Sequence, residues 1–137
     1  MHALDILVVD DSPIVSRQLT MMLEQLGHRV IKTASTGKQA IAAYREFKPN
    51  VVTMDITMPD MDGITATKEI MTLDGEAKII MVTSHGQEKM VLDSLKAGAR
   101  GYVLKPFQIN KIADALENAH KIKVLDKKLD EMLANKV

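Results

Sequence analysis

Residues 51–63 read VVTMDITMPDMDG: four strand-forming residues, then Asp55, then a turn-like segment with a proline, two further acids and a glycine. An almost unbroken apolar run of this length suits a strand buried on both faces, since a half-exposed strand would alternate apolar and polar residues. Ending it on a carboxylate is costly at the edge of a core unless another group pairs with the charge or uses it. The partners of that charge must come from elsewhere in the chain.

Four more runs of the same kind occur, Ile6-Leu7-Val8-Val9, Val30-Ile31, Ile79-Ile80-Met81-Val82 and Tyr102-Val103-Leu104. Segments of helical period separate them. Ser12-Pro13 opens the first with a capping hydroxyl and a proline whose missing N–H is not needed there. Val15, Leu19, Met22, Leu23 and Leu26 form its stripe, and Gly27 stands where a helix end favours positive φ. Ala40, Ile41, Tyr44 and Phe47 mark a second helix, and Ile64, Thr67, Ile70 and Met71 a third ahead of the turn pair Asp74-Gly75. Val91, Leu95 and Ala97 mark a fourth stopped by Gly98, and Ile109, Ile112, Ala113 and Leu116 a fifth. The pattern predicts an α/β fold, a doubly wound (βα)5 parallel sheet with helices on both faces.

The chain has 137 residues, enough for one domain with a proper core. Its 18 basic and 18 acidic residues cancel, so no global field draws it to nucleic acid or an anionic membrane. There is no cysteine, which excludes disulfide and thiol chemistry and fits a reducing, cytoplasmic setting. No run approaches the roughly 18 apolar residues of a membrane span. The four histidines, at 2, 28, 85 and 120, have no metal-ligand spacing and read as surface residues.

In a sheet of this class ligands bind beyond the carboxyl ends of the strands. Those ends carry Asp10-Asp11, Asp55, Thr83-Ser84 and Lys105-Pro106. Taken singly, each has an ordinary structural explanation as a cap or a solvated loop residue. Together they place three carboxylates, a hydroxyl and an ammonium at one edge. Clustered carboxylates repel one another unless a cation joins them, and an all-oxygen set suits Mg²⁺. Asp10, Asp11 and Asp55 with the backbone carbonyl of Thr57 are the candidate metal ligands. Asp55 is then a candidate nucleophile for a phosphoryl group, with Lys105 offsetting charge and Thr83 donating a hydrogen bond.

The motifs DD at 10–11, DITMPDMDG at 55–63, TS at 83–84 and KP at 105–106 resemble those of the response-regulator receiver domains of two-component signalling, over residues 4–121. The likeness is to the stand-alone, chemotaxis-regulator type. It implies a flavodoxin-like strand order 2-1-3-4-5, and phosphate transfer to Asp55 from a phosphohistidine on a sensor histidine kinase or histidine phosphotransfer protein. It also implies Tyr102 as the switch aromatic that follows Thr83, and a Lys105-Pro106 bond of a kind commonly cis. The surface of the fourth helix, fifth strand and fifth helix would then control binding of a downstream protein. Such a protein is a signalling phosphoacceptor, assisting its own phosphorylation and slow autodephosphorylation, rather than an enzyme. Thr57, where many members carry asparagine, and His85 flank the expected path of attacking water and read as tuning the phosphorylated lifetime. Asp60 and Asp62 read as capping and solvating the third helix.

Residues 122–137 continue as a helical extension in which Ile122, Leu125, Leu129 and Met132 form a short heptad stripe, a candidate homodimer contact or a simple extension of the fifth helix. Three rival readings are weighed. An aspartyl-phosphate phosphohydrolase of the haloacid-dehalogenase type would carry its nucleophile in a D-x-D pattern after the first strand. A flavodoxin-like electron carrier would carry a Ser/Thr/Gly-rich loop there. A receiver-shaped scaffold or dimerisation module acting without phosphorylation would have no need of the full residue set.

Overall fold

The computed structural model describes residues 3–84, 86–119 and 132. Its elements alternate as the apolar runs dictate. β1 (Asp5–Val9), α1 (Pro13–Gln25), β2 (Arg29–Ala34) and α2 (Gly37–Phe47) come first. β3 (Val51–Met54), α3 (Gly63–Leu73), β4 (Ile79–Thr83), α4 (Glu88–Lys96) and β5 (Gly101–Leu104) follow. A fifth helix, α5, occupies 109–119. The proposed extension at 122–137 falls outside the described residues, Met132 excepted.

All strand pairs are parallel and the order is β2-β1-β3-β4-β5, as expected. Alternate residues of each central strand supply two separate cores, which is why the runs look continuous in sequence. Leu7, Val9, Val52, Met54, Ile79 and Met81 face α2 and α3, while Ile6, Val8, Val51, Ile80, Val82 and Val103 face α1 and α5. The first core is rich in methionine: Met54, Met58 and Met81 are buried in it, with Met61, Met71 and Met90 packed against them. The second contains none among the described residues.

Local chemistry fixes the helix ends. Ser12 caps α1 by accepting the N–H of Val15, and Pro13 is its first residue. At the far end Gly27 has φ +91° and donates to Glu24, while His28 donates to the Leu23 carbonyl. Gly98, at φ +111°, closes α4 in the same way, with Ala99 donating to Ser94. These are the crossed bonds of a helix terminated by a left-handed residue.

Several expectations are corrected. β2 is longer than Val30-Ile31 because it is an edge strand whose Lys32 and Thr33 face solvent. α4 turns Met90, Ser94 and Ala97 inward, leaving Leu95 48% and Leu92 47% exposed. Ser94 tolerates full burial because its hydroxyl donates to the Met90 carbonyl at 2.8 Å. In α5 the inward residues are Ile112, Leu116 and Ala119, and Ile109 is exposed. His28 is buried, not superficial. Its Nδ1 accepts the Leu4 N–H at 3.0 Å, and burial, then the charge of the amino terminus, holds its pKa below 6.5. The other three histidines lie outside the described residues.

Candidate functional site

The strand order reverses between β1 and β3, so their connections leave in opposite directions and open a crevice at the strand ends. Asp10 follows β1 and Asp55 follows β3, and the two strands are locked in register by the Asp55 N–H donating to the Val9 carbonyl at 3.0 Å. Asp10 and Asp55 are buried and Asp11 is exposed. Oxygens of these three carboxylates lie within 4.8 Å of one another.

Lys105 reaches in from the end of β5. Its Nζ is 2.9 Å from Asp10 Oδ2 and 3.5 Å from Asp55 Oδ1. The closer partner is thus Asp10, which the sequence did not indicate. The other Asp10 oxygen accepts the Ser12 N–H at 2.9 Å, so Asp10 is held from both sides. One ammonium among three carboxylates leaves a surplus of negative charge. Accordingly Asp55 has its pKa raised to about 6, first by burial and then by Asp10, with Lys105 opposing and Asp11 adding to the rise. An all-oxygen set with excess negative charge and a carboxylate that resists ionisation fits a hard divalent cation such as Mg²⁺.

Thr83 ends β4 fully buried, and its carbonyl accepts the Lys105 N–H at 2.8 Å. Thr83 and Lys105 therefore sit on adjacent, directly bonded strand ends. The Lys105-Pro106 bond is cis. Tyr102 pairs across to Met81 in the β4–β5 register and is half-buried against the methionine-rich core, which raises the pKa of its phenol. Thr57 is exposed on the loop leaving β3, between buried Ile56 and Met58. His85 lies outside the described residues.

The loop is shaped at Gly63, whose N–H donates to the Ile56 carbonyl at 2.6 Å. A side chain there would collide with the Asp55 carbonyl oxygen, so only glycine permits the approach. Asp62 caps α3 through the Thr65 N–H at 2.8 Å, as expected. Asp60 does not serve α3. Its carboxylate instead takes two N–H groups at the start of α2, a partnership that no local sequence signal discloses.

A family model described as response regulator receiver domain matches residues 6–117. The chain belongs to this family. It is 43% identical over 116 residues to the chemotaxis protein CheY of Thermotoga maritima, spanning 85% of this chain and 97% of that protein. The CheY of Bacillus subtilis is 45% identical over 111 residues, spanning 81% and 92%. Among solved structures, a CheX-CheY-BeF3-Mg²⁺ complex from Borrelia burgdorferi is similar at a TM-score of 0.80 and 38% identity, with 82% of this chain and 85% of that one covered. Phosphorylation and Mg²⁺ are typical of receiver domains, and membership implies phosphoacceptor signalling. Among the described residues no helix is long and apolar enough to cross a membrane.

Proposed function

We propose that the chain is a response-regulator receiver in which Asp55 accepts a phosphoryl group from a phosphohistidine of a sensor kinase or phosphotransfer protein. The observation that carries this reading is Asp55 itself: buried, reluctant to ionise, and set beside Asp10 with the Lys105 ammonium against both carboxylates at the strand-order reversal. Asp10, Asp11, Asp55 and the Thr57 carbonyl would hold Mg²⁺, which when bound neutralises charge on the phosphoryl oxygens.

In the transfer an Asp55 carboxylate oxygen forms a bond to phosphorus as the phosphorus–nitrogen bond of the donor breaks. The imidazole leaves with that electron pair. Lys105, already 3.5 Å from Asp55, offsets the arriving charge, and the Thr83 hydroxyl donates to a phosphoryl oxygen. A phosphoryl group brings about −1.5 to −2 charges. It draws Lys105 away from Asp10 and pulls Thr83 toward Asp55, and Tyr102 follows Thr83. Slow hydrolysis of the acyl phosphate, with Thr57 beside the water path, resets the switch.

The output side is supported by the apolar residues that α4, β5 and α5 leave in solvent: Leu92, Leu95, Leu104 at 50% exposure, and Ile109. A downstream protein is the partner that such a face suits, and the Borrelia relative is itself found with CheX. Self-association through residues 122–137 is the other candidate. Sedimentation of the full chain with and without BeF3⁻ separates the two.

Acetyl phosphate with Mg²⁺ should add one phosphoryl group, seen by intact mass, and Asp55→Asn should abolish it. Undiminished labelling of that variant would sink the assignment. An unlabelled wild type would favour the scaffold reading instead.

A further inference from the structure

Asp60 lies outside the acidic pocket, and its carboxylate serves a different element. Oδ1 accepts the Gly37 N–H and Oδ2 the Lys38 N–H, each at 2.9 Å. These are the first two amides of α2, which have no partner within the helix. The third, of Gln39, donates to Thr36 Oγ1 at 3.1 Å. Asp60 thus supplies what the local cap leaves unmet, and its charge sits at the positive end of the helix dipole. Those two N–H groups hold its carboxyl below the usual carboxylate range.

Met61 closes the same contact. A Cβ at Gly37 would collide with Cγ and Sδ of Met61. This leaves no room for a side chain at the first position of α2 while Met61 keeps its place. The loop from Asp55 to Asp62 is therefore fixed at separate points. Ile56 and Met58 anchor it from below, Gly63 folds it back on Ile56, and Asp60 with Met61 moors it to α2. Thr57 lies between these anchors, three residues before Asp60.

We propose that Asp60 is a positioning residue for the cation site: by holding the first two amides of α2 it fixes the loop whose Thr57 carbonyl completes the metal ligands. This rests on the reading of the pocket given above. A small divalent cation demands near-ideal octahedral placement of its oxygens, so slack in one ligand-bearing loop is felt as affinity. The coupling is reciprocal: a bound cation must also steady the Asp60 contact with α2.

The test is a Mg²⁺ titration of the full chain, followed by amide NMR at near-physiological salt. Asp60→Ala should weaken Mg²⁺ binding roughly tenfold, the scale on which loss of an outer partner acts at metal sites. Asp60→Asn loses the same charge but keeps one acceptor oxygen, and should fall between Asp60→Ala and the unaltered protein. Gly37→Ala, which displaces Met61 while Asp60 stays, should weaken binding as a second variant. Mg²⁺ should slow hydrogen exchange at Gly37 and Lys38 in the unaltered protein and lose that effect in Asp60→Ala. A helix cap alone would lower the urea midpoint of Asp60→Ala and leave its Mg²⁺ affinity unchanged, and that result overturns the proposal. Equal weakening by alanine and asparagine would reduce Asp60 to a distant charge and also overturn it. Failure of the unaltered protein to bind Mg²⁺, or binding untouched by Asp11→Asn, would instead overturn the pocket reading, and this inference with it.

Discussion

Replacing Asp55 with asparagine should make the metal-free protein more stable at neutral pH. In the fold Asp55 titrates at about 6 against an ordinary 3.8, because it is buried beside Asp10. A carboxyl whose folded pKa is raised supports the fold fully below about 3.8 and loses that support as pH rises through 6. Once ionised it opposes folding by about 3 kcal/mol. Asparagine removes the charge and gives up the 3.5 Å contact with Lys105, which keeps its 2.9 Å partner Asp10. The opposing pull of Lys105 is already contained in the raised pKa, so the net gain is about 3 kcal/mol. The chain has no tryptophan, so urea unfolding is best followed by far-UV circular dichroism, in EDTA, from pH 4 to 8. The two proteins should coincide near pH 4, diverge between about 4 and 6.5, and stay apart above 7. Saturating Mg²⁺ should close the gap, since a ligand at a hundred times its dissociation constant stabilises the protein that binds it by about 2.7 kcal/mol. An asparagine variant no more stable than wild type at pH 8, or a gap independent of pH, would refute the reasoning.

Other consequences can be measured on the same footing. Thr53 is buried at mid-strand in β3, and its hydroxyl has no hydrogen-bond partner among the described residues, so Thr53→Val should raise stability by about 1 kcal/mol, read as a higher urea midpoint. His28 acts in the opposite sense to Asp55. Its folded pKa is lowered, so the stability it lends is present above about 6.5 and lost as pH falls, because a protonated Nδ1 cannot accept the Leu4 N–H. In the Asp55→Asn background the urea midpoint should therefore drop on acidification through 6.5, and a flat profile there would remove His28 from the account.

The strand ends were legible because each is marked locally: an apolar run stops, and an aspartate, a threonine-serine pair or a lysine-proline pair follows. Parallel topology then gathers them without further information. The helix ends at Ser12-Pro13, Gly27 and Gly98 were legible for the same reason, since a cap depends on its nearest neighbours. What escaped depends on distant partners. Asp60 meets α2 across 23 positions of sequence, and in isolation it looked like another acid ahead of α3. His28 is buried by its place beneath β1, which no pattern around it reveals. In α4, Val91 and Leu95 suggested an inward face, but the serine-to-carbonyl bond of Ser94 allowed the helix to turn Met90, Ser94 and Ala97 inward instead. Lys105 was expected to face Asp55, and the balance between its two carboxylate partners is a matter of distances alone.

The unequal makeup of the two cores bears on how a small stimulus can have a defined effect. Branched aliphatic chains hold few rotamers, whereas methionine can rearrange its unbranched chain around a displaced neighbour at little cost. The sheet thus divides the molecule into a chassis, with α1 and α5 bolted to it by leucine, isoleucine and valine, and a cushion of sulfur beneath α2, α3 and α4. Anything that moves at the strand ends has a fixed frame on one side to push against and yielding material on the other. Travel on the cushioned side can then be large without loosening the whole.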